Sequence, residues 1–203
     1  LDLFSGSNQG VTDDACPPPG SPYSTPNLGQ QLIDAGLTFA GFSEDLPSAG
    51  STACNTKTYA RRHNPWVDFS NVPGADNLPF ASFPADFTRL PTVSFVIPNL
   101  CNDMHDCAPG TGDAWLSSQL AGYIEWAKTH NSLLILTFDE DDRSESNQIV
   151  TFFEGPMVKA GQYGERINHY TVLRTIEAMY GLPYAGQAAT AATITDIWQA
   201  SSP

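Results

Sequence analysis

The run "SLLILTF" (Ser132–Phe138) keeps four apolar residues in a row from Leu133 to Leu136, so it has no polar face to turn to water. Such a segment is stable where both of its sides are covered, the position of a strand inside a parallel sheet flanked by helices. It directly follows "GDAWLSSQLAGYIEWAKTH", in which Trp115, Leu116, Leu120, Tyr123, Ile124 and Ala127 recur at helical spacing. Upstream, "TVSFVIPNL" carries Val93, Phe95, Val96 and Ile97 between Pro91 and Pro98 and reads as another strand. Earlier still, "NLGQQLIDAGLTFAGF" reads as a short helix stopped at Gly36 and leading into a strand. Downstream, "QIVTFFEG" is a strand, and "NHYTVLRTIEAMYGLP" is an amphipathic helix (Val172, Leu173, Ile176, Met179) ended by Gly181 and Pro183. This order is α/β: a mostly parallel central sheet flanked by helices, in one domain over residues 1–203. The proline-rich "CPPPGSPYSTPN" and the stretch from Pro47 to Arg89 read as ordered loops.

Sheets of this kind place their sites at the C-terminal ends of the strands. Two stretches qualify. After "LLILTF" comes "DEDDRSESN", where Asp139 and Glu140 emerge directly from a buried strand, a costly place for two carboxylates unless a divalent cation offsets them. The stretch lacks the Gly and closing Glu of an EF-hand, and Asp141 and Asp142 read as solvated. After "VSFVI" comes "NLCNDMHDC", a cysteine-bounded loop holding Asn102, Asp103, His105 and Asp106. The His105 imidazole beside these carboxylates would also suit zinc or iron. His169 opens the last helix, where unpaired amides and the dipole favour an anion. His63 stands with Arg61 and Arg62 in "RRHNPW", a concentration of positive charge suited to phosphate oxygens or to ion pairs with the acidic majority. His130 closes the long helix as a partner for its dipole.

Only 9 Lys and Arg stand against 22 Asp and Glu, a net charge of -13 that repels nucleic acid and anionic membranes. No apolar run reaches membrane-spanning length. Four cysteines without C-x-x-C spacing favour disulfides over a zinc or redox site. Of the three possible connectivities, Cys16 with Cys54 and Cys101 with Cys107 gives the shortest loops. Such bonds persist outside the cytosol, so the expected location is secreted, extracellular or periplasmic, with any signal peptide already removed.

Together, "LFSGSNQGVTDD", "YARRHNPWVDFSN", "PNLCNDMHDC", "TGDAWL", "LTFDEDD" and the stretch from "NQIVTFFEG" to "GLPYAG" resemble the phosphoesterase family of secreted acid phosphatases and, more distantly, bacterial phospholipases C. The resemblance implies an alkaline-phosphatase-like fold and hydrolysis of a small phosphorylated substrate through a covalent intermediate on a Ser or Thr beside divalent metal. It further implies Asp139 and Glu140 as metal ligands, Asp103, His105 and His169 as catalytic groups, and Arg62 and His63 near the phosphate. In the family's order, a first strand ending in Glu-Asn and a nucleophile in a "PSQPNY"-like segment precede "LFSGS". The expectation is therefore an N-terminally incomplete domain whose first strand and nucleophile precede residue 1, with Ser5 and Ser7 not nominated. The leading function is a metal-dependent acid phosphatase acting on phosphomonoesters. The alternatives are a phospholipase C-like phosphodiesterase and an inactive acidic binding module on the same fold.

Overall fold

Strand β1 (Phe39–Ser43) is buried at every position and is the middle of a three-stranded parallel sheet ordered β2-β1-β3, with β2 at Asn77–Pro79 and β3 at Val93–Ile97. The register pairs Phe39 with Val93 through Ser43 with Ile97 on one side, and Gly41 with Asn77 through Ser43 with Pro79 on the other. In this computed structural model residues 1–143 and 146–199 are described. Ser144 and Glu145 of the acidic "DEDDRSESN" stretch lie outside the described residues.

The chain folds as two units, Leu1–Asp113 with Arg166–Ile194, and Ala114–Glu165 with Thr195–Pro203. The first holds the parallel sheet and the helices α1 (Asp2–Ser5), α2 (Leu28–Asp34) and α4 (His169–Met179). Asn27 caps α2 by accepting the Gln30 amide at 2.9 Å, and Gly36 ends the turn that follows at φ +73°. Asn168 caps α4 in the same way through the Thr171 amide, and Gly181 follows at φ +65°. The stops at Gly36 and Gly181 agree with the sequence reading, and the two asparagine caps are added by the structure.

The core of this unit is aromatic. Phe4 sits 5.5 to 5.7 Å from Phe39, Phe69 and Phe95, and Phe39 and Phe95 stand 6.1 and 6.0 Å from the fully buried Trp66. These tilted and edge-on pairs are the geometry that ring quadrupoles favour. Trp66 lies flat against β1 because position 41 is glycine: a Cβ there would fall 2.1 Å from the indole. Its Nε1 donates to Asn77 Oδ1 at 2.9 Å, and Asn77 Nδ2 donates to the Ser51 carbonyl, which fixes β2 beside β1. β2 lies within the stretch read from sequence as loop. Three residues ending in proline carry no strand signal, and side chains distant in sequence hold them there.

The second unit contains most of α3 (Pro109–Ala127) and the strands β4 (Leu134–Thr137) and β5 (Thr151–Glu154). β4 and β5 pair antiparallel, from Leu134 with Glu154 to Thr137 with Thr151. The apolar runs are strands as expected, but their mutual direction departs from the parallel expectation: β5 runs back beside β4, with no crossover helix between them among the described residues. His130 behaves as anticipated, its Nδ1 2.7 Å from the Trp126 carbonyl at the end of α3 and its ring stacked on that indole. Among the described residues no helix is long and apolar enough to cross a membrane.

Candidate active site

The C-terminal ends of β1 and β3 lie side by side, since Ser43 pairs with Ile97 and the Glu44 amide donates to the Ile97 carbonyl at 2.9 Å. The segment leaving β3 is closed by the Cys101–Cys107 disulfide, which brings the two Cα atoms to 4.7 Å; Cys16 and Cys54 form the other disulfide. Both pairings follow the local connectivity expected from sequence. Within the closed loop, Asp103 N donates to the Asn99 carbonyl and Asp106 N to the Leu100 carbonyl. Met104 holds φ +75°, and its side chain lies over Gly112, where a Cβ would fall 2.4 Å from Cε of Met104. Left-handed backbone at a non-glycine residue is uncommon and tends to collect at functional loops.

The segment carrying Arg61–His63 arrives on the same rim. His63 Nδ1 lies 2.9 Å from Asp103 Oδ2, while the other oxygen of Asp103 accepts the His105 amide at 2.9 Å. The His63 and His105 rings are 5.8 Å apart. His105 Nδ1 is 2.7 Å from Asp106 Oδ1, and its Nε2 is 3.4 Å from Nη2 of Arg62. A guanidinium can only donate, so His105 presents a lone pair at Nε2 and carries its proton at Nδ1 toward Asp106. By the same logic, a carboxylate at Nδ1 of His63 places the proton there and leaves Nε2 bare in the neutral ring. Two imidazoles, each oriented by its own carboxylate, stand beside one exposed arginine.

Arg61 and Arg62 part company. Arg61 turns inward, its Nε and Nη2 both on Asp68 Oδ1 at 3.1 and 2.7 Å, with further bonds to the Thr52 and Val67 carbonyls. Burial pushes the Asp68 carboxyl above its ordinary range, against the pull of Arg61. Arg61 is thus the structural ion pair that sequence left open, and Arg62 is the one exposed at the rim.

His169 opens α4 in this same unit and is partly buried. Asp139 and Glu140 follow β4 after Phe138, in the second unit, and are exposed. Among the described residues no group of three or more His, Cys, Asp or Glu gathers to hold a metal ion. No step is derived through a metal.

Sequence reading passed over Glu44 and Asp45. Glu44 Oε2 accepts the Asn99 amide at 2.9 Å, and its two oxygens accept Asn102 Nδ2 at 3.1 and 2.9 Å. Asp45, at φ +59°, accepts Asn99 Nδ2 at 2.9 Å and the Thr58 hydroxyl. The signal was present: two acids directly after the buried strand "LTFAGFS" obey the strand-end rule that selected Asp139 and Glu140.

The model of the phosphoesterase family matches residues 1–183. The chain belongs to the phosphoesterase family. A phosphatidylinositol-3-phosphatase of Mycobacterium tuberculosis is 54% identical over 200 residues, covering 98% of this chain and 66% of that protein. An acid phosphatase of Aspergillus fumigatus is 29% identical over 196 residues, covering 87% of this chain and 44% of its own length. An acid phosphatase of Aspergillus niger is 30% identical over 180 residues, covering 81% and 42%. This phosphoesterase chain thus spans between 42 and 66% of the length of these relatives.

Proposed function

We propose that this protein is a phosphoric ester hydrolase of the acid phosphatase type, acting on phosphomonoesters outside the cytosol. The observation that carries the reading is the pairing of His63 with Asp103 beside Arg62 and His105, where β1 and β3 end. Arg62, the exposed cation, neutralises phosphoryl oxygens that its planar fork can bind in pairs. Asp103 orients the His63 ring and stabilises the imidazolium formed when Nε2 takes up a proton, so the ring can return that proton to the leaving oxygen. His105, with its lone pair at Nε2, and His169, at the start of α4, supply the remaining imidazoles near the ester.

In the mechanism that the family resemblance implies, a Ser or Thr nucleophile takes the phosphoryl group, and we assign it to no position in this chain. The Ser5 hydroxyl is engaged by the Leu1 and Ser7 carbonyls. Asp139 and Glu140 are assigned to divalent metal on the resemblance alone. Two disulfides and fungal acid phosphatase relatives support the extracellular location. The 54% identity to a phosphatidylinositol-3-phosphatase makes a 3-phosphorylated inositol headgroup the first natural monoester to try.

The test compares initial rates of the whole protein on an aryl phosphate monoester, a bis-aryl diester and a short-chain phosphatidylinositol 3-phosphate, with and without chelator. Monoester turnover that is lost in His63→Ala and in chelator is the expected result. Preference for the diester would move the protein to the phospholipase C-like reading. Absence of turnover on all three would leave the binding module, and turnover that survives chelator would remove the metal from the proposal.

A further inference from the structure

Asp103 owes its place to a carboxylate at the end of the neighbouring strand. Glu44, at the first position after β1, holds the loop at two points ahead of Asp103: its Oε2 takes the Asn99 backbone amide, and both its oxygens take Asn102 Nδ2. Asn99 in turn anchors the loop three ways. Its side-chain oxygen accepts the Cys101 and Asn102 amides at 3.1 and 3.0 Å, its carbonyl accepts the Asp103 amide at 2.8 Å, and its Nδ2 reaches Asp45. From Glu44 to the His63 ring there is thus an unbroken run of contacts: Glu44 to Asn99 and Asn102, these to the Asp103 backbone, and the Asp103 carboxylate to His63 Nδ1.

We propose that Glu44 is a positioning residue for the His63–Asp103 pair: by fixing Asn99 and Asn102 it sets where the Asp103 carboxylate stands, and through it which nitrogen of His63 carries the proton. The inference rests on the reading of that pair as the reacting one. The bonds of Glu44 in this run go to Asn99 and Asn102, and its effect reaches His63 through Asp103. A disulfide alone would not do its work. Cys101–Cys107 ties the ends of the loop to each other, whereas Glu44 ties the loop to the sheet. Displacing a reacting group by a fraction of a bond length is enough to cost rate, on the order of 10- to 100-fold for about 1 Å.

The chemistry permits a test in which the contact is inverted rather than deleted. In Glu44→Gln one acceptor oxygen becomes a donor nitrogen that faces the Asn102 donor, so one of the two bonds to Asn102 is lost and the remaining bonds lose the charge that strengthened them. In Glu44→Gln with Asn102→Asp, the Gln oxygen accepts the Asn99 amide and the Gln nitrogen donates to the new carboxylate, so the tie is restored with its polarity reversed. The two variants and the parent are compared by the ¹⁵N shifts of the His63 ring and by kcat and KM on an aryl phosphate monoester.

The parent is expected to show His63 protonated at Nδ1. Glu44→Gln should shift the ring toward the Nε2-protonated form that free imidazole favours, and should lower kcat by about 10- to 100-fold with little change in KM. The double variant should recover both readings. Ring shifts and kcat unchanged in Glu44→Gln would overturn the inference, as would loss that the double variant does not recover. If Glu44→Gln does not fold, Asn102→Ala removes the donor from the other side and is read in the same way. A parent that hydrolyses no ester, but whose His63 tautomer follows Glu44, would reject the phosphatase reading and leave the positioning role standing.

Discussion

Nδ1 of His63 and Oδ2 of Asp103 meet at 2.9 Å although 40 residues separate them in the chain. The pair is partly shielded, with 20 and 15% of the two side chains exposed, enough to strengthen the contact while leaving the ring accessible. Asp103→Asn would place an amide opposite the imidazole, and wherever that amide donates, the ring is driven to the opposite tautomer. The expected outcome is a fall in kcat of about 10²- to 10⁴-fold with KM nearly unchanged, measured by steady-state hydrolysis of an aryl phosphate. An unchanged kcat would remove the pair from the reaction.

The Cys101–Cys107 bond closes a separation of 6 residues and the Cys16–Cys54 bond one of 38. On the chain-entropy account these stabilise the fold by about 2 and about 4 kcal/mol respectively. Replacing Cys101 and Cys107 together by Ser should therefore lower the melting temperature less than replacing Cys16 and Cys54, yet lower kcat more, because only the short loop carries Asp103 and His105. Calorimetry and rate measurements on the two double variants check the crossing; the same rank order in both measurements would refute it.

Gly41 leaves room for Trp66, and a methyl group there would overlap the indole at 2.1 Å. Gly41→Ala should destabilise the first unit by about 1 to 3 kcal/mol or more, since a buried ring hydrogen-bonded to Asn77 has little room to retreat. Denaturant unfolding followed by Trp fluorescence reads the change. A midpoint equal to that of the parent would mean that the strand and ring separate without cost.

Glu177, on α4, is fully buried. One oxygen accepts the Ala185 amide at 2.8 Å, the other has no hydrogen-bond partner, and Gln31 Oε1 nearby is also unpartnered while Gln31 Nε2 is committed to the Pro183 carbonyl. Burial raises the carboxyl to about 7, against the smaller opposing pulls of the Ala185 amide, Gln31 and Arg174. A carboxyl that binds its proton more tightly when folded contributes stability that is complete below its ordinary value of 4.5 and is lost as pH rises through about 7. The melting temperature should fall from pH 5 to pH 8, roughly the window around that value, and Glu177→Gln, which keeps an acceptor and adds a donor, should flatten the slope. An equal slope in both proteins would assign the pH dependence to other groups.

The apolar runs are readable as strands from their unbroken apolar and β-branched composition, but the cover on both faces that this composition implies is complete only for Phe39–Ser43, while Val93–Ile97 and Leu134–Thr137 are half-buried throughout. Phe39–Ser43, Val93–Ile97 and Leu134–Thr137 are strands where "LTFAGF", "VSFVI" and "LLILTF" place them. The strand-end rule likewise led to the 99–107 loop, and the local cysteine pairing followed from loop length. The rule was equally valid for Glu44 and Asp45, but those acids sit in a segment without histidine or cysteine to draw notice. β2 had no such signature, because its three residues are held by Trp66 and Asn77 rather than by their own propensity.

By itself, the sequence determined which apolar segments form strands, where the helices stop, and which residue types crowd the rim, since each of these depends on a few neighbours and on contact with water. Only the tertiary structure decided that Arg61 faces Asp68 while Arg62 faces His105, that Asp103 takes His63 as its partner, and that Glu44 grips the loop. Two adjacent arginines are chemically alike, and their difference arises from which side of one short turn points into the core. Such choices follow from how distant segments meet, and no window of residues contains that information.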